Sequence, residues 1–200
     1  MKYLKYFESK TDIDAICKKY GIENYTINSD GTVDVYDSVD IEDLRITKLP
    51  LKFGYVSGGF DCGNNGLTSL EGAPKEVGGY FDCSRNDLTT LLGAPRKVGR
   101  DFDCYYNQLT SLVGAPIEVV GGFDCRNNQL TSLVGAPEEV GGDFDCNRNP
   151  LPREILDNYK YIEKIVKYQY DYNIWRRDGS LDKYRFSDMM KEILEEETNI

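Results

Sequence analysis

Apolar residues recur in this chain with a period of 21, longer than any single helix or strand could impose. Phe-Asp-Cys begins at Phe60, Phe81, Phe102, Phe123 and Phe144. Four full units follow: FDCGNNGLTSLEGAPKEVGGY, FDCSRNDLTTLLGAPRKVGRD, FDCYYNQLTSLVGAPIEVVGG and FDCRNNQLTSLVGAPEEVGGD, with a fifth that stops after Asn149. The register also runs backwards into a degenerate unit, because Val39, Ile41, Ile46, Leu49 and Val56 precede Phe60, Cys62, Leu67, Leu70 and Val77 by 21 residues each. The pattern predicts six strands between residues 39 and 149. Strand alternation sends Phe and Cys to one face and the intervening Asp to the other. The inward columns are then Val39 with five Phe, Ile41 with five Cys, and two columns of Leu. No single unit buries its own apolar face, so stability comes from stacking neighbours.

Each unit reads F-x-C-x-x-N-x-L-x-x-L, the template of a leucine-rich repeat, which makes the expected fold an α/β repeat solenoid with a parallel sheet of about six strands. Asn65, Asn86, Asn107, Asn128 and Asn149 should turn inward and satisfy backbone groups where each strand ends. Gly-Ala-Pro marks a turn on the convex side, where extended segments or short turns are expected. Residues 1–38 form an N-terminal cap. It comprises a helix over 11–20 with Thr11 or Asp12 as N-cap and Ile13, Ile16 and Cys17 on one face, then a hairpin turning at Asp30-Gly31. Residues 39–149 are the repeats, and residues 150–200 a C-terminal helical cap, all one continuous domain. The cap should start a helix near Arg153 and another over 187–197 with Ser187 as its cap. Its aromatic residues, Tyr159, Tyr161, Tyr168, Tyr170, Tyr172 and Trp175, either pack on the last repeat or form a binding patch.

Charge and composition narrow the function. Among 200 residues there are 34 acidic and 24 basic ones, a net charge of −10. That balance disfavours nucleic acid, which is bound through Lys and Arg, and fits a partner with a basic surface. Histidine is absent, which excludes His-dependent triads and His-ligated metals. Five of the six Cys are register-equivalent and parallel, a geometry that suits neither disulfides nor a converging metal site. No enzyme activity, cofactor or metal is expected. Residues 1–10 lack the apolar core of a signal peptide, and no segment approaches the roughly 18 apolar residues of a membrane span, so a cytoplasmic location without membrane contact is expected.

The candidate site is the outward Asp column on the concave face: Asp40, Asp61, Asp82, Asp103, Asp124 and Asp145, with Asp101 and Asp143 beside it. Like charges about 4.8 Å apart repel by roughly 1 kcal/mol per pair in water, which a solvated stripe tolerates. Three readings stand: a solubility stripe, a docking surface for a basic protein segment, or a divalent-cation site. Tyr80, Tyr105, Tyr106 and Arg126 interrupt the repetition on this face and are where a unique partner could be read.

The Leu-Thr-Ser-Leu element followed by proline resembles the repeats of secreted effector ubiquitin ligases of enteric pathogens. Their catalytic domain follows the repeats and carries a cysteine nucleophile; here the roughly 50 residues after the array contain no Cys. Over residues 12–150 the chain more closely resembles the leucine-rich-repeat proteins of tailed bacteriophages, which look like strings of F-D-C-x-x-N-x-L-T-S-L-x-G-A-P-x-E-V-G-G. That resemblance implies a fold and a viral origin but no general activity. The function expected is a non-enzymatic interaction protein, plausibly phage-encoded and binding a host or anti-phage-defence protein. The alternative is a virion or assembly component that docks through its aromatic C-terminal helices.

Overall fold

Each 21-residue unit makes one turn of a β-solenoid in the computed structural model, which describes residues 10–198. The reading made on residues 1–10 therefore lies outside the described residues except at Lys10. Helix α1 (Lys10–Lys19) buries Ile13 and Cys17, with Ile16 partly covered. Thr11 and Asp12 lie inside its first turn and do not cap it. Strands β1 (Tyr25–Ile27) and β2 (Val33–Val35) form the antiparallel hairpin that the Asp30-Gly31 turn predicts. Asp30 Oδ1 accepts hydrogen bonds from the Thr32 N–H and hydroxyl, and Gly31 takes a φ of 80°.

Two short strands then alternate along the chain: β3 (Val39–Asp40), β4 (Phe53–Val56), β5 (Phe60–Asp61), β6 (Glu76–Val77), β7 (Phe81–Asp82), β8 (Lys97–Val98), β9 (Phe102–Asp103), β10 (Glu118–Val119), β11 (Phe123–Asp124), β12 (Glu139–Val140) and β13 (Phe144–Asp145). Strand β3 and the five Phe-Asp strands build a six-stranded parallel sheet in the order β13-β11-β9-β7-β5-β3, with Val39 opposite Phe60, Phe opposite Phe and Asp opposite Asp. The segments on the far side, expected only as extended chain or turns, pair into a second sheet of order β1-β2-β4-β6-β8-β10-β12. No helix occurs inside the repeats among the described residues. The turn explains this second ladder. Gly93 sits at a φ of 96°, where an added Cβ would lie 2.8 Å from the Leu70 carbonyl oxygen, and Ala94 N–H donates to the Leu91 carbonyl at 2.9 Å. The equivalent Gly and Ala repeat this geometry, so every turn delivers its Glu-Val or Lys-Val pair in register with the one before. Backbone groups lying in register between stacked turns find their partners in each other.

Both sheets share the alternation of a parallel ladder, in which the N–H and C=O of one residue face one neighbouring turn and those of the next residue face the other. In the six-stranded sheet the inward residue faces the following turn, as where the Phe81 N–H donates to the Asp101 carbonyl, and the outward Asp faces the preceding one. In the seven-stranded sheet the inward Val likewise faces the following turn, as where the Val98 carbonyl accepts from the Val120 N–H and the Val119 carbonyl from the Gly141 N–H. Between the sheets lies the predicted core. The rings of Phe60, Phe81, Phe102, Phe123 and Phe144 stack at centroid spacings of 5.2–5.4 Å with planes within 8°. The Cys column from Cys62 to Cys146 and the Leu columns are fully or almost fully buried, and all six thiols are free. Burial is the main cause pushing the thiols of this column up, which keeps them protonated packing groups. Each Asn of the column spans two turns. Asn86 accepts from the Leu67 N–H and donates to the carbonyls of Cys62 and Cys83 at 2.9–3.1 Å.

After the repeats the helical stretch expected from Arg153 is broken into α2 (Arg153–Leu156), a 3₁₀ turn (Tyr159–Tyr161) and α3 (Ile162–Tyr168). Helix α4 (Lys183–Thr198) starts four residues before Ser187, which is an exposed residue within it. Asp182 takes the capping role, since its Oδ1 accepts from the N–H groups of Tyr184 and Arg185. The chain is already turned there by the bridge between Trp175 and Leu181. The aromatic side chains of this segment are engaged within the chain. Tyr168 and Tyr172 donate to Glu196 and Glu192, Tyr170 donates to the Ala136 carbonyl, and the Trp175 indole donates to Gln169. Among the described residues no helix is long and apolar enough to cross a membrane.

Candidate functional site

The open face of the six-stranded sheet presents three columns. The Asp column is central, flanked by Ser38, Gly59, Tyr80, Asp101, Gly122 and Asp143 on the entering side, and by Glu42, Gly63, Ser84, Tyr105, Arg126 and Asn147 on the leaving side. The predicted Asp61, Asp82, Asp103, Asp124 and Asp145 are all brought together here, each half-buried beside the next. Most are anchored by one repeated bond, in which Oδ1 accepts from the N–H two residues on. Gly63, Ser84, Arg126 and Asn147 donate to Asp61, Asp82, Asp124 and Asp145 at 2.7–3.0 Å. Asp103 is the exception, and its carboxylate accepts no such bond among the described residues.

The column is not uniform. At its C-terminal end Arg126 forks onto Asp124 at 2.6 and 3.0 Å and reaches Asp145 at 3.2 Å, so those two carboxylates are neutralised from within. Toward the N-terminus Asp61, Asp82 and Asp103 have no such cation. Burial, then the neighbouring charges of Asp82, Glu42 and Asp40, lift the Asp61 carboxyl to about 6 against the bond from Gly63. Burial, then Asp82, Asp124 and Asp101, lift Asp103 to about 7, with Arg126 opposing. Tyr80 leans over Gly59, where an added Cβ would meet its ring at 2.4 Å. Its hydroxyl is pushed up by burial and by Asp61, Asp40 and Asp82, which places a proton donor among these carboxylates.

Two of the predicted residues do different work. Asp101 turns away from the stripe and accepts the Gly122 N–H at 2.7 Å, tying one turn to the next. Tyr105 and Tyr106 meet edge-to-face at 5.8 Å and join a cluster with two guanidinium groups: Arg85 over both rings at 5.7 and 5.1 Å, and Arg126 over Tyr105 at 5.9 Å. Arg85 completes this cluster although it was not singled out as a site residue. A further column went unread: Asp43, Asn64, Arg85, Tyr106, Asn127 and Arg148 all have φ between 51° and 59°. Asn and Asp tolerate this left-handed backbone; at Arg85, Tyr106 and Arg148 it costs about 1 kcal/mol each. Asn or Asp at three of the six positions of this column was the available signal. Among the described residues no three His, Cys, Asp or Glu side chains converge to hold a metal ion.

The raised carboxyls make stability pH-dependent. Asp61 and Asp103 titrate higher in the folded chain than in the unfolded one, so the folded state keeps protons that the unfolded state has lost. Their contribution is complete below the unfolded value of about 4 and is lost as pH rises through about 6 and about 7. The carboxyls lowered in the fold, such as Glu154, Asp178 and Asp182, act in the opposite sense at more acid pH, leaving the window from pH 5 to 8 to the raised pair. Urea unfolding should show greater stability at pH 5 than at pH 8. Asp103→Asn should gain on the order of 2 kcal/mol at pH 8 and flatten the profile; an unchanged slope would refute the electrostatic account.

Comparison with protein-family models, with curated proteins and with solved structures gives no match.

Proposed function

We propose that this chain is a leucine-rich-repeat-type interaction protein, without catalytic activity, that uses the open face of its six-stranded sheet to hold a basic segment of a partner protein. The carrying observation is the run Asp61, Asp82 and Asp103, half-buried and without an internal cation, flanked by Tyr80 and by the Arg85–Tyr105–Tyr106 cluster. A partner Lys or Arg seated over Asp103 would neutralise charge that the fold leaves unpaired, and the tyrosines supply anchoring surface. The terminal segments serve as caps on the solenoid in this reading. The likeness of the repeats to those of tailed bacteriophages supports its narrower form, a phage protein acting in the host cytoplasm on a host or defence protein. The competing reading, docking of a virion component through the aromatic C-terminal segment, is weakened because Tyr159, Tyr168, Tyr170, Tyr172 and Trp175 are already bonded within the chain.

Affinity capture from host lysate with wild type and with Asp61→Asn/Asp82→Asn/Asp103→Asn tests the proposal. Wild type should retain a partner with surface Lys and Arg, less well in high salt and below pH 6. The triple variant should retain at least tenfold less, since about 1.4 kcal/mol corresponds to each factor of ten. Undiminished capture by a variant with an unaltered circular-dichroism spectrum would discard this face.

A further inference from the structure

The two sheets end differently at their C-terminal edges. In the six-stranded sheet the Tyr159 hydroxyl covers edge strand β13, accepting the Cys146 N–H at 3.0 Å while donating to Asp145. In the seven-stranded sheet the outward groups of the edge are the Val140 N–H and a row of carbonyls. One turn earlier, the carbonyls of Ile117, Val119 and Gly121 accept from Glu138, Gly141 and Gly142. The equivalent carbonyls of β12 and its flanks, those of Glu138, Val140 and Gly142, have no following turn, and among the described residues nothing donates to them. Val140 is accordingly only partly covered, whereas Val77, Val98 and Val119 are 1–3% exposed.

Beside this open edge lies a groove of about 500 Å³ between the last turns and α3. Its apolar walls are Val119, Val140, Phe144 and Val166, and Glu118, Glu138, Glu139 and Glu163 stand around it. The outward column of the second sheet reads Glu76, Lys97, Glu118, Glu139. Lys97 binds Glu118 at 2.7 Å, so the column ends on a like-charged pair with Glu139 at the open side. The groove's two lysines are otherwise engaged: Lys164 with Glu196 and Glu197, and Lys167 over the Tyr168 ring.

We infer that this edge and groove form a second binding site, which takes an extended peptide segment with an aliphatic residue next to a Lys or Arg as an added strand on β12. The segment's backbone N–H groups donate to the open carbonyls of Glu138, Val140 and Gly142, and one of its carbonyls accepts the Val140 N–H. Its basic residue lies beside Glu139, continuing the alternation that Lys97 makes with its neighbours, and its aliphatic residue continues the inward Val column into the groove. An uncovered edge of this kind is a template for pairing, and the excess of carboxylates selects a basic strand over another copy of the acidic β12.

The probe is a fluorescein-labelled peptide copying residues 93–100, Gly-Ala-Pro-Arg-Lys-Val-Gly-Arg, followed by anisotropy on the full chain. Saturable one-to-one binding is expected. Glu139→Lys, an exposed substitution, should weaken it at least tenfold, and a peptide N-methylated at alternate residues should not bind. Asp61→Asn/Asp82→Asn/Asp103→Asn should bind as wild type does, which separates this site from the face of the six-stranded sheet. Absence of saturable binding, indifference to Glu139→Lys or to N-methylation, or loss in the triple variant overturns the assignment. So does concentration-dependent self-association that the peptide fails to displace, which would give the edge to a second copy of the chain.

Discussion

Asn107→Ala is expected to remove about 4 kcal/mol of stability, among the largest effects available to a single polar residue here. Its amide accepts the Leu88 N–H at 2.9 Å and donates to the Cys83 and Cys104 carbonyls at 3.0 and 3.1 Å, all within the buried core. Alanine leaves one donor and two acceptors of the backbone buried and unpaired, each at a cost of roughly 1–3 kcal/mol before relaxation. Asn107→Asp is nearly isosteric yet worse at neutral pH, because a carboxylate then faces two carbonyl oxygens; it should recover in part under acid conditions, where the protonated group can donate once. Asn65 makes the same bonds at the first turn but is only partly buried, so water can replace some of them and Asn65→Ala should cost less. Urea unfolding followed by circular dichroism separates the three variants, and a cost for Asn107→Ala below 1 kcal/mol would contradict this account of the column.

The six strands and their inward columns were legible because a period of 21 places identical side chains one above another, and identical apolar residues stack only on an inner face. The second ladder was not. Its repeating unit is a single Glu-Val or Lys-Val pair, too short to show alternation, and its regularity comes from backbone bonds between turns. The Asp column was correctly read as outward-facing, yet its division into a neutralised end and an open run depends on where Arg126 reaches. That reach is a matter of side-chain torsions, which spacing does not encode. Asp101 shows the same limit: it occupies a column position but spends its carboxylate on the Gly122 N–H. At α4, both Asp182 and Ser187 are competent caps by residue type, and the Trp175–Leu181 bridge decides between them.

One translation by a single turn therefore produces both the core and the charged face. Stacking Phe on Phe gains contact at every step, while stacking Asp on Asp raises repulsion at every step. The bonds from residues two positions on, and the fork of Arg126, offset part of that repulsion, incompletely at Asp61 and least around Asp103. A site assembled in this way is strongest at the middle of the array, where both neighbours contribute charge.

The ring ladder carries the second large effect. Phe102→Ala should cost about 5 kcal/mol: roughly 3–5 for an emptied aromatic site in a packed core, with further loss from two ring partners. Phe102 is fully buried and stacks on Phe81 at 5.4 Å and Phe123 at 5.2 Å. Phe144 ends the ladder with one stacked neighbour, at 5.3 Å, beside the open groove, so Phe144→Ala should cost roughly 1–2 kcal/mol less. The position of the lesion matters as much as its size, because turns contact only their neighbours. A gap at Phe102 weakens the coupling between the halves, and their unfolding should separate. Trp175, the single tryptophan, reports on the C-terminal half by fluorescence, while circular dichroism averages the whole chain. The two probes should give one midpoint in wild type and two in Phe102→Ala; coincident curves with a cost under 2 kcal/mol would show that the ladder does not couple the turns.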